Sequence, residues 1–206
     1  MFYNAIENNH GLKHDPFKAL IAPRPIGWIS TVSPAGILNL APYSFFNAVS
    51  DNPHYVMFSS GGRKDSITNA EQTGEFVCSL ATYDLRNQMN MTSKPVHSDI
   101  NEMEMAGLTP APSQMVIPPR VQESPVAFEC KYYTTVDLPH KAGELSYHIV
   151  IGQVVGIYIA DMAIADSKVD ITKLKPIARL GYKDYSVVDS TFELDRPKQG
   201  SVLEQI

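Results

Sequence analysis

The sequence predicts a mainly β protein, a closed or split antiparallel β-barrel with helical insertions, and three observations carry that expectation. Runs rich in β-branched and aromatic residues recur at 26–32, 37–40, 55–59, 75–80, 126–136 and 146–160, with turn residues between them. Helical patterning is confined to two stretches, 65–73 and 83–105. The strongest strand, 146–160, places Tyr147, Ile149, Ile151, Val155, Ile157 and Ile159 in one row and Val150, Val154 and Tyr158 in the other. Both of its faces must therefore be covered, one by a barrel interior and the other by a helix or a second subunit, which makes a homodimer the expected assembly.

Composition bounds what the chain can do. Its 206 residues, 44% hydrophobic and 19% charged, are enough for one globular domain, expected to span residues 1–206. A formal net charge of -5 argues against a non-specific nucleic-acid binder, which needs a basic surface. No apolar run approaches the ~20 residues of a membrane span, and the opening Met-Phe-Tyr-Asn-Ala-Ile-Glu has neither the basic nor the apolar region of a signal peptide. The chain reads as soluble and cytoplasmic. Cys78 and Cys130 stand apart within strand-like runs, as buried free thiols do, and no metal site is expected. His10 and His14 share a helical spacing, but Gly11 and Pro16 weaken any helix there, so a solvated arm is the expectation for 1–22.

In chain order, Ile26 to Val32 reads as a strand, Ser33-Pro34-Ala35-Gly36 as a turn, and Ile37 to Leu40 as the returning arm of a hairpin. Ala41 to Asn47 breaks the pattern: proline is barred from a central strand, yet the segment is too apolar for an ordinary loop. An irregular, hydroxyl-bearing pocket wall is expected. Tyr55 to Ser59 is a strand, and Asp65 to Thr73 a helix closed by Gly74. Glu75 to Leu80 is another strand. Tyr83 to Met105 reads as methionine-rich helix, and 107–125, with five prolines, as a long covering connection. Asp166 to Asp170 forms a turn and short strand, and the chain from Phe192 onward reads as extended.

One stretch, 23–66, does not look like plain core. It gathers Trp28, hydroxyls, amides and the cations Arg24, Arg63 and Lys64 around short apolar strands. The loop Ser60-Gly-Gly-Arg-Lys64 leads into a helix N-terminus, where free N–H groups and the helix dipole favour an anion. Taken alone, that junction is equally a capped helix behind a solvated basic loop. Likewise Trp28 can be a core aromatic, and Arg24 and Arg179 solvated cations. His148 reads as a structural strand histidine, and His140 follows Pro139 in a loop. Read as a whole, the stretch is a cradle for a planar aromatic ligand carrying a phosphate.

Pro23-Arg-Pro-Ile-Gly-Trp-Ile-Ser-Thr-Val, Asn39-Leu-Ala-Pro-Tyr-Ser-Phe-Phe-Asn-Ala-Val-Ser, Lys64-Asp-Ser with Asn69, Thr73-Gly-Glu-Phe-Val and Lys175-Pro-Ile-Ala-Arg-Leu-Gly stand in the order found in the flavin reductase-like proteins, which the chain resembles from about 17 to 190. The resemblance implies the FMN-binding split β-barrel fold, flavoredoxin-like, with FMN as cofactor and NAD(P)H as transient hydride donor. It also implies positions. Trp28, Ser30 and Thr31 would lie against the flavin, and Ser44, Phe45, Phe46 and Asn47 along the isoalloxazine edge. Ser59, Ser60, Arg63, Lys64 and Ser66 would hold the phosphate and ribityl chain, with Arg179 approaching from the late loop. A flavin reductase, serving a monooxygenase or another electron acceptor, is the implied activity. A flavoredoxin-like electron carrier not reduced directly by NAD(P)H is the alternative, and a barrel that has lost flavin a remoter one. No catalytic side chain is assigned, because hydride transfer needs orientation and not a nucleophile.

Overall fold

The computed structural model describes residues 1–197. After the arm, which ends in a one-turn helix α1 (Phe17–Leu20), come β1 (Arg24–Pro25), β2 (Gly27–Val32), β3 (Leu38–Tyr43), β4 (Phe46–Asp51) and β5 (His54–Gly61). Helix α2 (Asp65–Thr73) and β6 (Glu75–Leu80) have the expected bounds, and Gly74 ends the helix in the left-handed conformation that glycine adopts at no steric cost. Two short helices follow, α3 (Arg86–Met91) and α4 (Glu102–Met105), then a small ribbon of β7 (Pro110–Ala111) and β8 (Arg120–Val121). The long strands β9 (Val126–Leu138) and β10 (Tyr147–Ile159) form the spine. The chain closes with β11 (Ile164–Ala165), β12 (Lys168–Val169), α5 (Ile171–Leu174), β13 (Ile177–Arg179) and β14 (Tyr185–Val187). Of the extended tail expected from Phe192, residues 198–206 lie outside the described residues.

Seven strands form one antiparallel sheet in the order β3-β2-β6-β9-β10-β5-β4. Its edge strands, β3 and β4, are consecutive in sequence and joined only by Ser44 and Phe45, so the sheet curls back on itself there. The Phe45 carbonyl accepts from the Ser59 N–H at 2.7 Å across that corner. The result is a mostly β split barrel. Two expectations are corrected. The 41–47 segment is irregular only at Ser44 and Phe45: β3 runs through Pro42 to Tyr43, because an edge strand tolerates a missing N–H. The helix expected over 83–105 is instead α3 and α4 with a loop between them, since Pro95 forbids helical geometry at the residue before it and Thr92 ends α3. Of its methionines, Met89 and Met103 fill the core while Met91 is exposed.

Strand β2 is covered on both faces. Its odd positions turn into the barrel, where Ile29 packs with Phe58, Phe76, Val150 and both cysteines, under Ile67 and Ala70 of α2. Its even positions turn outward beneath the 81–121 insertion, where Trp28 packs with Leu40, Met89, Met103 and Val121. Gly152 sits where an added Cβ would come within 2.4 Å of the Phe76 ring, so the core fixes that glycine. A smaller sheet, β1-β13-β14, flanks α3.

Candidate functional site

Three adjoining cavities run along one side of the barrel. The first, about 510 Å³, lies between α3 and β13-β14 and is lined by Tyr83, Arg86, Arg179, Lys183 and Tyr185. The second, about 410 Å³, shares Met89, Asn90, Arg179 and Tyr185 with the first and adds Arg24, Pro42 and Ser44. The third, also about 410 Å³, shares Pro42 and Ser93 with the second and is walled by Asn39, Tyr43, Lys64, Ser66, Lys94 and Glu102. Together they make a trough from the N-terminus of α2 to β14.

Of the residues expected to bind, Ser44, Lys64, Ser66 and Arg179 line this trough. Trp28, Ser30 and Thr31 do not. All three are 0% exposed, because β2 has a packed layer on either side. The Trp28 indole donates to Thr92 Oγ1 at 2.9 Å and the Ser30 hydroxyl to the Pro119 carbonyl. Thr31 Oγ1 accepts from Asn39 at 3.2 Å and Asn69 at 3.1 Å, and Asn39 also donates to Ser66 Oγ at 2.8 Å. Trp28 is thus the core aromatic, and Thr31 supports the site from behind through a buried network.

Phe45, Phe46, Asn47, Ser59, Ser60 and Arg63 also lie off the trough. Phe46 presses on Gly27, and Phe45 faces Tyr147 with ring centroids 6.2 Å apart. Asn47 is exposed and accepts from the Ala48 N–H. Ser59 is half-buried, and Ser60 is buried and donates to the Gly62 carbonyl at 3.0 Å. Arg63 turns away to Glu71, at 2.5 Å, with Asp137 at 3.8 Å. A cation already neutralised by carboxylates is a poor phosphate ligand.

The electrostatics single out two places. At the α2 end, Lys64 precedes the helix with no side-chain cap, and Lys64, Asp65 and Ser66 of this uncapped start line the third cavity with Lys94. There the Tyr43 hydroxyl is buried beside the Ser66 and Ser60 hydroxyls without a well-formed hydrogen bond, a costly state that a polar ligand would relieve. Burial raises the Tyr43 pKa, and it likewise raises that of Glu102, whose carboxylate accepts from the Leu40 N–H at 2.9 Å. At the β14 end, Arg24 and Arg179 stand directly opposite each other on β1 and β13. Arg24, for which a solvated cation is one open reading of the sequence, is 5% exposed. It donates to the carbonyls of Lys18, Ile21 and Leu180, and burial, then the Arg179 charge, pulls its pKa below arginine's usual range.

His148, buried, bonds Asp137 at 2.6 Å and Ser146 at 3.1 Å as a strand-to-strand tie, away from the trough. Burial pushes Cys78 up to about 12, which makes it an inert thiol. Among the described residues no group of three His, Cys, Asp or Glu could hold a metal, and no helix is long and apolar enough to cross a membrane. Sequence reasoning missed Asn39, Tyr43, Arg86, Asn90, Lys94, Lys183 and Tyr185 as site residues. Asn39 and Tyr43 lay within a recognised motif; Arg86, Asn90 and Lys94 lie in the stretch read as methionine-rich helix, whose pattern says nothing of the cavity they face, and Lys183 and Tyr185 in the late loop.

The architecture is thus a split barrel with a polar, cation-lined trough along one side. The chain belongs to the flavin reductase like domain family, whose model matches residues 20–181. It is 40% identical over 172 residues to an uncharacterized protein of Aquifex aeolicus, covering 81% of this chain and 85% of that one. Among solved structures it superimposes on nitrilotriacetate monooxygenase component B from Bacillus cereus with a TM-score of 0.85 and 31% identity, over 94% of this chain and 98% of that one. It shares its fold with flavoredoxin of Desulfovibrio vulgaris, at a TM-score of 0.75 and 19% identity over 87% of this chain and 94% of that one.

Proposed function

We propose that the protein is a one-domain, cytoplasmic FMN-dependent flavin reductase, drawing electrons from NAD(P)H and passing reduced flavin to a partner monooxygenase. The observation that carries the reading is the α2 end of the trough. An uncapped helix N-terminus, Lys64, Lys94 and an orphaned buried hydroxyl converge on one cavity, which is the donor set a phosphate monoester requires. FMN fits those residues. Lys64, the Tyr43 hydroxyl and the first-turn N–H groups would hold its phosphate. Ser66, fully buried and accepting from Asn39, braces the cavity wall from behind. Pro42 and Ser44 would border the ring, and Arg179 the space beyond it.

The chemistry FMN supplies when bound is two-electron transfer between a reduced nicotinamide and an acceptor. The chain's contribution is binding and orientation. The Thr31–Asn39–Asn69–Ser66 network fixes the phosphate end, while the first and second cavities leave room for an exchangeable donor. The monooxygenase partner is supported by the likeness to nitrilotriacetate monooxygenase component B. A homodimer is supported by exposed apolar residues on the spine strands, Tyr133, Val136, Leu138 and Ile157; a monomeric mass in sedimentation would remove it.

The deciding experiment is an anaerobic visible spectrum of the FMN-saturated protein during addition of NADH and then NADPH. Rapid bleaching with either is expected. A yellow protein that stays oxidised with both but bleaches with dithionite replaces the reductase by an electron carrier, and one that ignores added FMN removes the flavin.

A further inference from the structure

The β14 end of the trough holds more positive charge than a dinucleotide diphosphate needs. Arg24, Arg86, Arg179 and Lys183 line its two cavities, and none has a carboxylate within ion-pair distance among the described residues. Arg24 and Arg179 sit opposite each other in register, a like-charge pairing that costs stability unless an anion lies between or beside them. The Arg24 Nε is buried with no partner. Further along, Arg86 lies over the Tyr83 ring at 4.1 Å and Arg179 over the Tyr185 ring at 4.5 Å. The tyrosines hold both guanidiniums in place without neutralising them. No carboxylate lines the first cavity, and Asp15 alone lines the second.

We propose that this end of the trough selects NADPH over NADH, with the diphosphate beside Arg179 and the adenosine 2′-phosphate held by Arg86 and Lys183. The inference rests on the reductase reading above. A site that prefers NADH sets a carboxylate against the ribose 2′-hydroxyl, where it would repel a phosphate; an arginine there does the reverse. The 2′-phosphate monoester adds about 1.5–2 negative charges at neutral pH, which matches Arg86 and Lys183, the two exposed cations left over once Arg179 faces the diphosphate with buried Arg24 behind it. The first cavity, at about 510 Å³, is of the size that takes one nucleoside moiety.

The test is calorimetric binding of NADP⁺, NAD⁺ and 2′,5′-ADP to the FMN-saturated protein and to its Arg86→Ala/Lys183→Ala variant, both substitutions being on exposed side chains. NADP⁺ and 2′,5′-ADP are expected to bind about tenfold or more tighter than NAD⁺, and the double variant to bring them to near equality. Equal wild-type affinities, or a preference that survives the double variant, would overturn the assignment. The outcomes separate the two readings. Bleaching by NADH and NADPH alike, with no binding of 2′,5′-ADP, sinks this inference and leaves the reductase. A 2′-phosphate preference lost in the variant, with no bleaching by either nucleotide, keeps the anion site and sinks the reductase.

Discussion

At the α2 end of the trough, Thr31, Asn39, Ser66 and Asn69 are all buried and bonded to one another, on strands and a helix locked into the barrel core. At the β14 end, Arg86, Lys183 and Tyr185 are exposed, on a short helix, a turn and a three-residue strand; Arg86 and Arg179 are stacked on tyrosine rings, and none of the cations is paired with an acid. The first arrangement is built before any ligand arrives, so little ordering remains to be done on binding. The second is adjustable and electrostatically unfinished. That contrast fits a resident group at one end and a passing one at the other. It also says where substitutions should hurt folding and where they should alter binding alone.

The largest effect should fall on the strand that carries the network. Trp28→Ala removes a fully buried indole from the outer core cluster and is expected to cost about 3–5 kcal/mol of unfolding free energy by urea titration. Trp28→Phe, losing only the indole bond to Thr92, should fold and bind FMN like the parent. A Trp28→Phe protein that folds but no longer binds FMN would return Trp28 to the site.

Next come the polar groups at the α2 end. Lys64→Ala should weaken FMN binding by about 1.5–3 kcal/mol, the range for a charge-assisted contact, whereas Arg63→Ala should leave it unchanged because Arg63 answers Glu71. Equal losses in the two variants, read by fluorescence titration, would erase the distinction. Tyr43→Phe should be smaller and split by readout. Removing an unpartnered buried hydroxyl should not lower the stability of the free protein, yet should cost about 0.5–1.5 kcal/mol of FMN affinity. A stability loss instead would mean that the hydroxyl already has a partner.

The same contrast explains what could be read from the chain beforehand. The barrel strands, α2 and its glycine cap were legible because period-two runs, a cap and turn residues all agreed. The α2 end was half legible: Lys64 and Ser66 stand in a loop-to-helix junction with its own local signal. Trp28 and Thr31 were misplaced because a strand's pattern does not reveal what covers its outer face, and the cover here comes from residues 81–121. Arg63 and Lys64 are adjacent and chemically alike, and only the neighbouring Glu71, one helix away, sorts them. The β14 end was nearly invisible. Arg86, Arg179 and Lys183 are brought together by a tertiary crossing of α3 and β13-β14 that no local rule encodes. The solvated reading of Arg24 stayed open because its partners are backbone carbonyls of Lys18, Ile21 and Leu180, which any sequence supplies.

The smallest predicted effect concerns Glu102, which lines the third cavity and is 6% exposed. Burial raises its pKa, the Leu40 N–H opposes that rise, and the Asp65 charge adds to it, leaving the net shift upward from 4.5. A raised folded-state pKa means that the native protein binds the proton more tightly than the unfolded chain. Stability from this group is therefore fully present below the unfolded value and declines as pH climbs towards the folded one. Glu75 runs the other way: although burial pushes it up, the Ile117 N–H and Lys131 pull it below the ordinary value, so its contribution is lost as pH falls. In Glu102→Gln the amide oxygen still accepts from Leu40 and no carboxylate has to ionise. Melting temperatures of parent and variant should then converge near pH 4.5 and separate above it, with the variant higher. Parallel curves would show that Glu102 ionises freely. If the curves do separate, burial and the neighbouring Asp65 charge together make Glu102 reluctant to ionise, which lessens the negative charge that Lys64 and Lys94 must offset in the third cavity.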